Sequence, residues 1–459
     1  MRENGDISRD TKLAAEIAEA AEAIGGRAYF VGGCVRDALM GRETKDIDVE
    51  IHGVGEETLI ELLSRFGAVT GYGKSFGIYG VAGYGIDIAL PRSEKRSGPG
   101  HRDFDVSVSG DMGTRSAAMR RDFTVNALMR DVLTGGIIDH FGGLDDLKSS
   151  VLRHVNDGTF ADDPLRVLRA ARFSAQLGFT VAEETKRICS EMDITGLSRE
   201  RVFGETKLAL TTSAAPSAFF GFLRSVNKLS FWFSELEALV SVAQDPAYHP
   251  EGDAYTHTML VLDAAAKYRN KAKNALGFML TALTHDFGKA VATGTVNGAI
   301  HAYGHEKAGI PLADRFLHRL TDEKELIRYV LNGVSLHMRP NICAKSGASV
   351  KSTNRLFDES VDPYALVMLA GCDGAGKLSE DNDAAQRFLL ERLKIYEDTV
   401  AKPSVTGDDL IRAGIKPGAA FSDALAHSRK LHLSGVPKER ALHETLIYMK
   451  KKYGITSQK

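Results

Sequence analysis

The stretch YFVGGCVRDALMGRETKDIDVEI, residues 29–51, carries the reading of the fold. Its apolar start ends at Gly32 and Gly33, where the chain can turn sharply, and VRDALMG suits a short helix opened by that turn. DIDVEI then alternates polar and apolar side chains, the period of a strand. Strand, turn, helix and strand in this order place the N–H groups of a helix start, which suit a triphosphate, beside a strand bearing two carboxylates. Asp46 and Asp48 stand at i and i+2, so within a strand both project from one face. Two carboxylates in a small site repel unless cations lie between them, and hard oxygen donors suit Mg²⁺. Such a site serves phosphoryl or nucleotidyl transfer, in which one cation activates the attacking hydroxyl and another neutralises the departing pyrophosphate. A lone DxD is usually just a charged strand; the ordered turn and helix, and a third carboxylate at Asp87 in GYGIDIALPR, favour the site.

Around this stretch, helical spacing runs over residues 9–24 and 56–66, with short glycine-separated strands after it, so the first unit is α+β. Of the 45 glycines, 23 fall in residues 1–150 and five in 151–250, which marks a change from strands and loops to helix. Residues 163–210 read as helical, with Pro164 near the helix start, and 253–375 read as a second, histidine-rich all-α zone. The expected organisation is a head over 1–150, a helical neck and body over 151–245, a helical metal-binding domain over 246–378 and a helical tail over 379–459. A length of 459 residues fits three or four such units at ~150 residues each. A formal charge of −2 with 26% charged residues excludes indiscriminate coating of nucleic acid. It leaves room for local basic faces: residues 428–459 hold eight Lys or Arg against two Glu. Four dispersed cysteines without a CxxC pair point to reduced thiols, and no leader or apolar span is evident, so a soluble cytoplasmic chain without a membrane partner is expected.

Residues 29–51 closely resemble the class II tRNA nucleotidyltransferase and bacterial poly(A) polymerase family. RRDFTVNAL (120–128), GGIIDHFGGLDDLKSSVLRHV (135–155), DDPLRVLRAARFSAQLGF (162–179) and ERVFGE (200–205) extend the resemblance in chain order. It implies a polymerase-β-like nucleotidyltransferase head, with Asp46 and Asp48 as Mg²⁺ ligands and catalytic residues and Asp87 assisting. It also implies nucleotide contacts at Gly33, Arg36 and Arg121. Asp163, Arg166, Arg169 and Arg172 recur every three residues, which predicts neighbouring side chains along one side of a helix. Cytosine and adenine each offer an exocyclic amine beside a ring-nitrogen acceptor. A carboxylate at Asp163 can accept from the amine while Arg166 donates to the ring nitrogen; guanine and uracil would meet like groups. Arg169 and Arg172 then suit the triphosphate or the neighbouring base. The resemblance implies CCA addition to tRNA from CTP and ATP, with residues 91–104 as the flexible loop that switches between them. One departure is Asp162, where the family's template motif often begins with Glu.

His257, the adjacent His285 and Asp286, and Asp373 form a second constellation. It resembles the HD phosphohydrolase superfamily, whose ligands of this type hold a divalent transition metal that activates water. His301, His305 and His337 are further candidates for a second metal or for phosphate. Gly371 to Lys377 spells GxxxxGK, but Leu378 follows in place of the Ser or Thr a P-loop needs, so the match is read as coincidental. With an HD unit the chain is similar to bacterial multifunctional CCA enzymes, which implies phosphatase and 2′,3′-cyclic phosphodiesterase activity. The rival readings are a poly(A) polymerase of the same family and a metal-dependent phosphohydrolase whose head only binds nucleotide.

Overall fold

The computed structural model describes residues 7–44, 46–71, 77–96, 104–108, 110, 112–246, 249–375 and 381–454. The chain forms two compact units, Met1–Ala209 with Ala218–Phe231, and Leu210–Ser217 with Trp232–Lys459.

The first unit is built on a mixed sheet, seven-stranded among the described residues. Its order is Val69–Gly71, Ile78–Val81, Ile86–Ala89, Ile47–His52, Arg27–Val31, Met129–Asp131, Ile137–Ile138. Ile47–His52 and Ile86–Ala89 run parallel with Asp48 opposite Asp87, so the fold brings together two carboxylates 39 positions apart in the chain. The helix Ile7–Glu22 buries Leu13, Ile17 and Ala21 in one core with Val49 and Ile51 of the strand and Leu59 and Leu63 of Glu56–Ser64. These elements follow the spacing of the apolar residues. Gly32 ends the first strand at φ 73° and opens the helix Gly33–Leu39.

Three features depart from the expectation. The strand begins at Ile47, which leaves Asp46 exposed just before it. Within 91–104, Arg92–Arg96 is a strand paired antiparallel with Phe104–Val108, while 97–103 lie outside the described residues. Residues 163–210 are not continuous helix: Leu165–Leu177 ends at Gly178, in the left-handed region at φ 74°, and Thr180–Val181 pairs with Val151–Leu152. Glu183–Glu191 and Arg199–Thr212 follow.

The second unit is mainly helical, but a hairpin of Gly294–Val296 and Ala299–His301 interrupts the zone expected to be all-α. Its turn is Asn297-Gly298, at φ 50° and 80°, the pair that two-residue hairpins favour. Pro363–Ala375 is helical where the GxxxxGK match begins, while Gly376 and Lys377 lie outside the described residues. Ala419–Leu433 and Lys438–Tyr453 form a tail with its own small core of Leu410, Ile415, Ala424, Ala441 and Met449. All four cysteines are free thiols. Among the described residues no helix is long and apolar enough to cross a membrane.

The helix Leu165–Leu177 is seated by buried aromatic edges: Phe123 meets Phe160 at 5.6 Å and Phe173 at 5.7 Å between ring centroids. Phe160→Ala should therefore cost about 3–5 kcal/mol, read as a lower urea midpoint.

Candidate functional site: a nucleotidyltransferase cavity and a histidine–aspartate cluster

In the first unit the Gly-Gly turn, the paired strands and the helix Leu165–Leu177 enclose a cavity of about 630 Å³. Of the residues expected there, Gly33, Arg36, Asp48, Asp87, Arg121, Asp163, Arg166 and Arg169 line it, and Asp46 and Arg172 do not. Arg172 is buried and turned away, with Nε 2.5 Å from Glu205 and Nη1 2.5 Å from Gln176. The reason is helical geometry: six residues on from Arg166 the side chain points about 120° away. Arg172 holds the helix and does not face the ligand space.

Six arginines and five carboxylates line the cavity among the described residues. Their arrangement is fixed by mutual contacts. Arg121 Nη2 donates to Glu50 at 3.1 Å, and Glu50 also meets His52 Nε2 at 2.7 Å. Burial alone would raise the Glu50 carboxyl; His52 and Arg121 outweigh it and hold it below the usual range. Glu50 was missed from sequence, although it sits at i+2 from Asp48 and the alternation that singled out Asp48 predicts it on the same face. Gly32 makes room for this wall: a Cβ there would stand 3.2 Å from Arg121 Nη1.

Asp122 lies at the centre of a buried relay. It accepts from Asn126 Nδ2 at 2.9 Å and from Arg169 Nε at 2.8 Å, while Arg36 Nη1 donates to Asn126 Oδ1 at 2.6 Å. Burial pushes the Asp122 carboxyl up, but the Arg169 guanidinium outweighs burial and keeps it below its ordinary value. At the cavity wall, Asp163 receives both 2.9 Å contacts of Arg201 Nη2. Arg166 donates at 2.6 Å to the carbonyls of Thr159 and Arg120. The proposed base-reading pair is thus oriented by protein groups, with Arg201 supplied by the ERVFGE segment. Carboxylates suited to cations, beside an arginine wall suited to a polyphosphate, can support transfer of a nucleotidyl group.

The second unit brings together His257, His285, Asp286 and Asp373, and adds His305 and His337. His285 Nδ1 faces the Ala282 carbonyl at 2.8 Å, His305 Nδ1 that of Ala302 at 2.8 Å and His337 Nδ1 that of Val334 at 2.7 Å. His257 Nδ1 faces Glu251 at 2.7 Å. Each of these acceptors calls for a proton on Nδ1, so each ring when neutral presents a lone pair at Nε2. Against burial, Asp286 draws the His285 and His305 rings above their ordinary value, and a bound cation would take the place of that second proton. The four Nε2 atoms converge on carboxylates. His257 Nε2 is 2.9 Å from Asp373, His285 Nε2 is 3.3 Å from Asp286 Oδ2, and His305 and His337 are 3.2 and 3.8 Å from Asp286 Oδ1. His305 and His337 also face each other, Nε2 to Nε2, at 3.1 Å. His285 Nε2 is buried without a hydrogen-bond partner. Lone pairs turned on one another and on carboxylates fit divalent cations: His257, His285 and Asp373 form one donor group, and Asp286, His305 and His337 another.

Burial pushes His337 down to about 4. For Asp286, His285 and Lys289 override burial and hold the carboxyl well below its usual range. Gly288 permits this packing, since a Cβ would lie 1.9 Å from the His305 carbonyl oxygen. Of the further candidates named from sequence, His305 and His337 join Asp286 in a donor group and His301 does not, while Glu251, six residues before His257, was missed.

The sheet, turn and carboxylates define a nucleotidyltransferase head. Residues 28–153 match the model of the Poly A polymerase head domain. The multifunctional CCA protein of Pasteurella multocida is 39% identical over 413 residues, covering 85% of this chain and 93% of its own length. That of Thioalkalivibrio sulfidiphilus is 37% identical over 424 residues, covering 88% and 97%. Among solved structures, the Thermotoga maritima CCA-adding enzyme complexed with tRNA aligns at TM-score 0.61 and 20% identity, covering 95% of both chains. A CCA-adding enzyme in an apo form aligns at 0.67 and 20%, covering 96% of both. The chain belongs to the multifunctional CCA protein family. Its enzyme class is CCA-adding tRNA nucleotidyltransferase.

Because its carboxyl is depressed in the folded state, Asp122 contributes stability above the unfolded carboxylate value and loses it as pH falls through the folded one. Asp122→Asn should cost about 3–5 kcal/mol at pH 7 by leaving Arg169 without its buried partner. That deficit should narrow on acidification below about pH 4, measured by urea midpoints at pH 7 and pH 3.

Proposed function

We propose that this chain builds or repairs the 3′-terminal CCA of tRNA from CTP and ATP in the cavity of its first unit, within the cytoplasm. The observation that carries this reading is the shared register of Asp48 and Asp87 facing the arginine wall. In the proposed reaction the tRNA 3′ oxygen bonds to the nucleotide α-phosphorus as the bond to pyrophosphate breaks. Asp48, with Asp87 and the nearby exposed Asp46, would hold Mg²⁺, which supplies charge neutralisation and activation of the hydroxyl. Arg36, Arg121 and Arg169 would bind the triphosphate, which the N–H groups at Gly33 also suit, while Asp163 and Arg166 select C and A by their donor–acceptor pattern. Arg172 is assigned a bracing role through Glu205.

Asp48→Ala should reduce nucleotide incorporation by at least 10³-fold while tRNA binding stays measurable, since only the chemical step loses its cation site. On tRNA lacking CCA, the wild type should add C, C and A and stop; long A tracts would instead identify a poly(A) polymerase.

We further propose that residues 246–378 act as a metal-dependent phosphohydrolase, with phosphatase and 2′,3′-cyclic phosphodiesterase chemistry. The convergent Nε2 lone pairs support this reading. The donor set of imidazoles and carboxylates suits a divalent transition metal, which when bound would activate water. Asp286→Ala or chelation of that metal should abolish phosphate-ester hydrolysis and leave CCA addition in Mg²⁺ unchanged. Equal loss of both activities would refute separate sites. The tail over 379–459 is proposed to grip the tRNA backbone through its basic excess.

A further inference from the structure

The histidine–aspartate cluster opens into a cavity of about 420 Å³ whose wall includes His301 and Tyr303. Their rings stack at 4.7 Å between centroids and 19° between planes, and Tyr303 is 75% exposed. One ring face of Tyr303 is thus covered by His301, while most of the residue remains open to an incoming group. The pair is held by the chain: the Asn297-Gly298 turn sets the hairpin, and Gly304, at φ 72°, turns into the helix that starts with His305. Only Gly304 separates Tyr303 from His305, whose Nε2 belongs to the proposed metal-binding group. A flat aromatic surface and a cation site suited to phosphate are therefore fixed by one short segment.

We propose that Tyr303, backed by His301, is a base-stacking subsite, so that this cavity takes nucleoside phosphates and RNA 3′ ends in preference to phosphate esters without a base. This proposal rests on reading the cluster as a phosphohydrolase. Every nucleobase has a π-face, so stacking supplies affinity without selecting one base. It also explains why a large, exposed aromatic side chain is held beside a charged, strongly polar centre. Phosphate would be directed towards the metal positions while the base lies against Tyr303.

The test compares 2′,3′-cyclic AMP with glycerol 1,2-cyclic phosphate, which share the reacting five-membered ring and differ in the base, using the metal-loaded full chain. Tyr303→Ala should raise KM for the nucleotide by about tenfold, with kcat and both constants for the glycerol ester unchanged. Tyr303→Phe should restore the wild-type KM. No change in KM, or an equal change for both esters, overturns the proposal. A direct binding measurement separates it from the hydrolase reading. 2-aminopurine riboside 3′-phosphate should lose more fluorescence on binding the wild type than on binding Tyr303→Ala, and because the head is identical in the two proteins the difference reports this subsite. That difference without hydrolysis would sustain the stacking subsite and sink the hydrolase reading; equal quenching, or none, overturns the subsite.

Discussion

The nucleotide cavity depends on one buried ion pair, Asp122 with Arg169. A carboxylate removed from water is tolerable only when a cation and further donors surround it. Arg169 and Asn126 provide these, and Asn126 in turn accepts from Arg36. The relay thereby joins three segments that are remote in sequence: the helix opened by the Gly-Gly turn, the RRDFTVNAL segment and the helix Leu165–Leu177. Glu205 extends it by pairing with Arg172, so the far side of that helix is held as firmly as the cavity side. Arginines that must meet a polyanion are oriented before it arrives, which lowers the reorganisation needed for electrostatic stabilisation.

The second unit applies a related constraint with a different polar group. Three imidazoles are anchored through Nδ1 by main-chain carbonyls and one by Glu251, which leaves four Nε2 atoms aimed inward. Lys289 already stands 2.7 Å from Asp286 Oδ2, and a divalent cation would satisfy the lone pairs that remain. The backbone makes this possible at Gly288, where the chain passes so close to the His305 carbonyl that no side chain fits.

Much of this was legible locally. The alternation in DIDVEI located the strand with Asp48, and the glycine pair located the turn that opens the helix. A strand's period does not fix its first residue, however, so Asp46 was expected inside the strand and lies just before it. A spacing of three resembles helical periodicity but drifts by about 60° at each step; for this reason Arg172 faces Glu205 and not the cavity. The Asn297-Gly298 turn carried a clear hairpin signal within VNGAI, yet the helical, histidine-rich surroundings masked it.

The sequence alone determined the order of the elements, the chemical types gathered in each motif and the resemblance to a nucleotidyltransferase with an appended HD unit. These follow from local periodicity, turn chemistry and short motifs. Only the tertiary structure decided that Asp48 stands opposite Asp87, that Asp163 is held by Arg201, and that His305 and His337 join Asp286. Each of these pairings spans from 19 to 51 residues of chain. They arise because buried charge and unsatisfied lone pairs must find partners, wherever along the chain those partners lie.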